Sequence, residues 1–121
     1  KYNYWQFLDS IGQKKLLQTF QIYQSMIGNG ISHNYMLSGL INLFLNIYAK
    51  KIYLNASQEF PIINKILLRN IDSYSSKYNL DQCLEILTEL HKIDKMIKTF
   101  QYGIDYTFEL LILKACDERR N

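Results

Sequence analysis

Apolar residues recur at three- and four-residue intervals along most of this chain, the spacing of one helical face. Tyr4 to Ile11 forms a first short unit, with Trp5, Leu8 and Ile11 on one face and Tyr4 and Phe7 beside them. Asn3 is its plausible N-cap and Gly12 its stop. Lys14 to Ile27 forms a second unit that turns Leu16, Leu17, Phe20, Tyr23, Met26 and Ile27 inward. It ends at Gly28-Asn29-Gly30, residues that tolerate a left-handed backbone. So short a connection favours an antiparallel return.

Ser32 can cap a third, longer helix that reaches about Tyr53. Tyr35, Met36, Leu40, Leu43, Phe44, Ile47 and Tyr48 make its stripe, and Leu37, Ile41, Leu45 and Ile52 widen the apolar arc. Such a helix should lie centrally, with neighbours on more than one side, either all within the domain or one of them another subunit. Asn55 to Pro61 is the main punctuation. Pro61 suits the first turn of a fourth helix, where its missing N–H costs nothing, and that helix runs on to Lys77.

Asn79 can cap a fifth helix from Leu80 to Thr99, with Asp81 in its first turn and Lys92, Lys95 and Lys98 toward its end. Glu89 with Lys92 and Asp94 with Lys98 stand at intrahelical pairing distance. A break at Tyr102-Gly103 precedes a last helix from Ile104 to Cys116. No strand alternation competes anywhere. The expected fold is all-α, one compact domain of five or six helices spanning residues 1–121.

Composition changes little in that picture. The 48% hydrophobic fraction supports a folded core and the 21% charged fraction a polar surface. Valine is absent while Ile, Leu, Asn, Lys and Tyr abound, as AT-rich codons produce, so the ten tyrosines carry no argument by number alone. The formal charge of +3 is modest. It lacks the dense basic stripe of a nucleic-acid footprint, so contact with DNA is expected to be weak or indirect; a helical nucleic-acid-binding module, motivated by that charge, Lys50-Lys51 and the aromatics, or a generic protein-interaction module stands as the alternative. No run of about 18 apolar residues spans a membrane, and no secretion signal is visible. The expectation is therefore a cytoplasmic protein with Cys83 and Cys116 as buried free thiols. Because the chain begins with Lys1, it is read as a piece of something longer.

Catalytic signals are missing from the pattern. His33 at a helix start and His91 on a polar face read as surface histidines, and Gly28-Asn29-Gly30 lacks the strand, Lys and Ser/Thr of a phosphate loop. Glu85 and Glu89 share a face without the histidine spacing of a di-metal bundle. Asn55-Ala56-Ser57 is a chance glycosylation sequon on this reading. Neither an enzyme, nor a cofactor, nor a small-molecule substrate is indicated.

Taken in order, the segments resemble the C-terminal helical domain of the bacterial DNA polymerase III delta subunit family. Phe7-Leu8-Asp9-Ser10-Ile11-Gly12 matches its opening φ-φ-D-x-I-G, and Gly30 precedes the Met36-Leu37 and Leu40-Ile41 pairs as its second glycine does. Phe60-Pro61-Ile62 stands where the family has a proline-containing turn. Leu90, Ile93, Asp94, Ile97, Lys98 and Thr99 match L…φ…D-x-x-φ-K-T. Phe108, Glu109, Leu111, Ile112 and Leu113 match the final φ-E-x-L-φ-L helix. The order and intervals, rather than any one motif, carry the likeness across the 121 residues. There are two departures from it: Phe100 stands where the family places glycine after Lys-Thr, and Asn42 and Asn46 stand where its third helix often carries arginine.

The resemblance implies the C-terminal part of an AAA+-like clamp-loader chain, a collar domain. Its partners would be delta-prime and gamma/tau-type subunits, in the complex that loads the sliding clamp on primed DNA during replication. DNA would be met only indirectly. On this reading the partner interface takes side chains from the third helix and the last two helices, with the over-wide arc of Leu37, Ile41 and Leu45 as its candidate residues. Gly12, Gly30, Pro61, Asp94, Lys98 and Thr99 are the family-like positions.

Overall fold

The computed structural model describes residues 2–52 and 65–118. Its helices are α1 (Tyr4–Gly12), α2 (Leu16–Gly28), α3 (His33–Ile52), α4 (Lys65–Arg69), α5 (Ile71–Lys77), α6 (Leu80–Lys98) and α7 (Ile104–Ala115), and no strand occurs among the described residues. The chain folds as one all-helical domain, with one helix more than the upper expectation. The extra helix comes from Asn70, whose amide nitrogen reaches the Asp9 carboxylate at 3.4 Å and which separates α4 from α5. Pro61 and the Asn55–Pro61 punctuation lie outside the described residues.

The third helix is central, as its wide arc requires. Met36, Leu37, Leu40, Leu43, Phe44, Ile47 and Ala49 are all buried, and α1, α5 and α6 pack around it. Each such large apolar side chain contributes roughly 1.5–3 kcal/mol on burial, less whatever the unfolded chain already buries. Lys50 at the end of α3 pairs with Asp72 of α5 at 3.2 Å, while His33 at its start meets Asp105 of α7 at 2.8 Å. α6 therefore runs back antiparallel to α3, and α7 returns beside it.

Three helix ends share one hydrogen-bond pattern, the paired 6→1 and 5→2 bonds of a Schellman turn. After α1, Lys15 N–H donates to Ser10 O and Lys14 N–H to Ile11 O. After α2, Ile31 N–H donates to Met26 O and Gly30 N–H to Ile27 O. After α6, Gln101 N–H donates to Met96 O and Phe100 N–H to Ile97 O. The pivot residue is left-handed each time: Lys14 at φ 57°, Gly30 at φ 81° and Phe100 at φ 55°. That conformation costs a residue with a side chain about 1 kcal/mol relative to glycine.

Lys14 has a packing reason to accept it. Its ammonium is buried, 3.0 Å from Gln82 Oε1 and 4.5 Å from the centre of the Tyr78 ring. Phe100 has none, since its ring is 90% exposed.

Gly12, expected as the stop of α1, is instead its last helical residue, and its smallness serves a close approach. A Cβ there would lie 2.6–2.9 Å from the Tyr74 ring. The Tyr74 hydroxyl donates to Asp9, and the Tyr78 hydroxyl donates to Ile11 O, so two tyrosines clamp α1. Among the described residues, no fully buried side-chain polar atom lacks a hydrogen-bond partner.

In α2 the buried positions are Thr19, Ile22, Tyr23 and Met26. The inward face is thus rotated from the expected one. Thr19 can lie inside because its hydroxyl donates to Lys15 O at 2.7 Å and sits 3.0 Å from the Ser10 hydroxyl. Leu16, Phe20 and Ile27 are half-buried, whereas Leu17 is 79% exposed.

The Gly12 contact makes a direct prediction. Gly12→Ala should lower the unfolding free energy by about 1–3 kcal/mol, the usual range for overpacking a filled site. Urea denaturation followed by circular dichroism measures it, and an unchanged midpoint would mean that the Tyr74 ring can move aside.

Candidate interaction surface

The arc of α3 is covered only in part inside the domain. Leu37 is 1% exposed and cannot meet a partner, because α1, α5 and α6 already surround its helix. Ile41 and Leu45 are half-buried. Exposed aliphatic side chains gather elsewhere. An open groove of about 1030 Å³ runs from the start of α2 along the C-terminal half of α7. Leu16, Leu17, Leu110, Leu111 and Leu113 supply its apolar lining. Leu17, Leu110 and Leu113 are exposed.

Charge on its rim is nearly balanced. Lys14, Lys15 and Lys114 face Glu89, Asp117 and Glu118, with Lys114 Nζ 3.5 Å from Glu89 Oε2. Such a groove suits an apolar protein surface better than an anion.

Leu17 of this groove is expected as core, whereas the leucines of α7 belong to the last two helices, which the sequence presents as a packing and assembly surface. The signal available from sequence is the run Leu110-Leu111-Ile112-Leu113, wider than one helical face can bury; in the fold Leu111 and Ile112 lie inside and Leu110 and Leu113 outside.

Asp94 and Lys98 form an i,i+4 ion pair at 2.8 Å, and the Thr99 hydroxyl donates to Lys95 O at 2.8 Å. These family-like positions therefore finish the end of α6 and are not gathered around a pocket. Gly12 and Gly30 likewise shape helix contacts and ends. Lys50 of the Lys50-Lys51 pair is engaged with Asp72, which weakens it as a phosphate contact.

His33, expected at the surface as an isolated histidine, instead joins three elements. Its Nε2 lies 2.8 Å from Asp105 Oδ1 of α7 and 2.8 Å from the Tyr23 hydroxyl of α2, and Tyr23 also donates to Asp105 Oδ1 at 3.4 Å. The ring stands edge-on to Phe108 at 5.1 Å, and Phe108 stacks on Tyr23 at 5.4 Å. A proton assigned to Nε2 satisfies the carboxylate. Both partners meet the same ring nitrogen, whereas a proton relay needs its base and its orienting carboxylate on opposite nitrogens. The cluster is a clasp holding the starts of α3 and α7 to α2.

Cys83 and Cys116 are buried free thiols, and desolvation pushes each up to about 11, so both stay protonated at neutral pH. Among the described residues, no group of three or more His, Cys, Asp and Glu side chains is placed to hold a metal ion, and no helix is long and apolar enough to cross a membrane. No protein-family model, curated protein or solved structure matches the chain.

Burial lowers the His33 pKa from its ordinary value, against the partly opposing pull of Asp105. A base with a depressed folded pKa is protonated first in the unfolded chain, so stability is full above about pH 6.5 and is lost as pH falls through the folded value. Denaturation midpoints measured from pH 7.5 to 5 should fall more for the wild type than for His33→Gln. Parallel curves for the two proteins would show that another group controls that range.

Proposed function

We propose that this chain is a helical assembly domain, the collar of a delta-like clamp-loader subunit. In that role it joins delta-prime and gamma/tau-type subunits in the machine that places the sliding clamp on primed DNA. The observation that carries the reading is the exposed leucine groove along α2 and α7, left over by a domain whose core is otherwise closed. The order of the segments, from Phe7-Leu8-Asp9 through Asp94-Lys98-Thr99 to the Phe108–Leu113 helix, supports the particular family.

The groove is preferred to the α3 arc as the seat of the partner, because Leu37 is buried while Leu17, Leu110 and Leu113 are exposed. An apolar centre with a charge-balanced rim fits a protein–protein contact, in which desolvated apolar side chains carry the energy and rim charges set register. The domain acts by holding its neighbours in place; chemistry and clamp contact belong to other parts of the assembly.

Mixing the chain with the collar regions of delta-prime and gamma/tau-type subunits should give a stoichiometric complex by light scattering. Leu110→Lys combined with Leu113→Lys should weaken that complex by about 100-fold or more, the effect of losing a central apolar contact, while helicity stays unchanged. Wild-type affinity in the double variant would move the seat off the groove.

A further inference from the structure

The exposed aromatic rings of the described chain are not scattered. Tyr2, Tyr35, Phe100, Tyr102 and Tyr106 all sit at the end of the bundle where α1, α3 and α7 begin and α6 stops. The Tyr4–Tyr35 ring contact at 4.3 Å brings the starts of α1 and α3 together, and the His33–Asp105 contact ties in α7. Exposed aliphatic residues lie on other parts of the surface. Phe100 and Tyr102, 90% and 99% exposed, are carried on the α6–α7 turn itself.

That turn holds its rings out at a conformational cost. Phe100 occupies the left-handed pivot of a Schellman turn, the position that Gly30 fills after α2. The turn is further fixed by the Thr99 hydroxyl on Lys95 O and by the Gln101 amide on Thr99 Oγ1, 2.9 Å away. A strained residue with a large exposed ring and no packing within the domain points to a contact outside it.

Electrostatics narrows what that contact is. Lys98 is paired with Asp94, and Lys95 of the same turn offsets Asp105, beside which His33 is neutral at pH 7, so the end carries little net charge to draw a polyphosphate or an anionic bilayer. Four of the five rings are tyrosines, the amphipathic residue that anchors protein interfaces at low conformational cost. The patch is also continuous with the leucine groove. Tyr106, Leu110 and Leu113 follow one another at i, i+4 and i+7 along the outer face of α7.

We infer that the aromatic turn is the anchoring end of the same docking surface, engaging a protein partner that presents an uncharged apolar face. This rests on the assembly reading and adds to it where the affinity resides. Phe100 and Tyr102 act as the anchors, and Tyr106 links them to the leucines.

Phe100→Gly separates binding from folding, because it removes both the ring and the strain. Titration calorimetry against the collar regions of delta-prime and gamma/tau-type subunits, with Tm measured alongside, provides the test. The expected result is a higher Tm with a partner affinity about tenfold or more weaker, and a similar loss for Tyr102→Ser with Tm unchanged. Unchanged affinity in both variants, while the wild type binds and Leu110→Lys with Leu113→Lys does not, would overturn the inference and leave the groove standing. A wild-type chain that binds none of these partners would remove the assembly reading and this inference together. Binding to a thymidine 20-mer or to phosphatidylserine vesicles that Phe100→Gly abolishes would overturn it in favour of a nucleic acid or a membrane surface.

Discussion

The structure depends on the enclosure of α3. Seven large or small apolar side chains on that helix are buried on a surface wider than one neighbour can cover, so α1, α5 and α6 must all reach it. A helix with apolar residues around so much of its circumference is stable only inside a layer of others. The short elements follow from this requirement. α1 is pressed onto α3 and locked by Tyr74 and Tyr78, whose hydroxyls bond Asp9 and Ile11 O while the Tyr74 ring covers Gly12. Among the described residues, the outer face of α7 and the start of α2 keep leucines exposed beside the groove.

The helix ends show how local chemistry and the wider fold trade against each other. One hydrogen-bond pattern ends three helices, yet its pivots are a lysine, a glycine and a phenylalanine. Glycine is the locally favoured choice. Lys14 departs from it because its ammonium completes a buried polar site with Gln82 and the Tyr78 ring. Phe100 departs from it without any such partner inside the domain. Two equal local strains thus have different justifications, one internal to the fold and one on its surface.

Much of this was legible in the residues themselves. The spans of α1, α2, α3, α6 and α7 follow the apolar period to within two residues, and the Asn79 cap of α6 appears as expected, its side chain accepting Gln82 N–H at 2.7 Å. Phase and pairing were less legible. Leu17 reads as core because leucine is apolar, but Thr19 can be buried where a hydroxyl partner waits on α1, and only the folded neighbour reveals it. The break at Asn70 depends in the same way on Asp9, some sixty positions earlier. His33 looked isolated because Tyr23 and Asp105 reach it through space rather than through sequence. Local spacing sets helix faces to within about a turn, and long-range hydrogen bonds decide the rest.

The two thiols have a practical consequence. Both are buried and protonated, so an alkylating reagent reaches either one only when its surroundings open. Cys116 borders the α2–α7 groove, whereas Cys83 sits deep on α6. A molecule seated in the groove would shield Cys116 and leave the opening of α6 governed by the stability of the fold. The ratio of the two labelling rates would then report occupancy with an internal reference, and the chain supplies its own footprinting probe without any added cysteine.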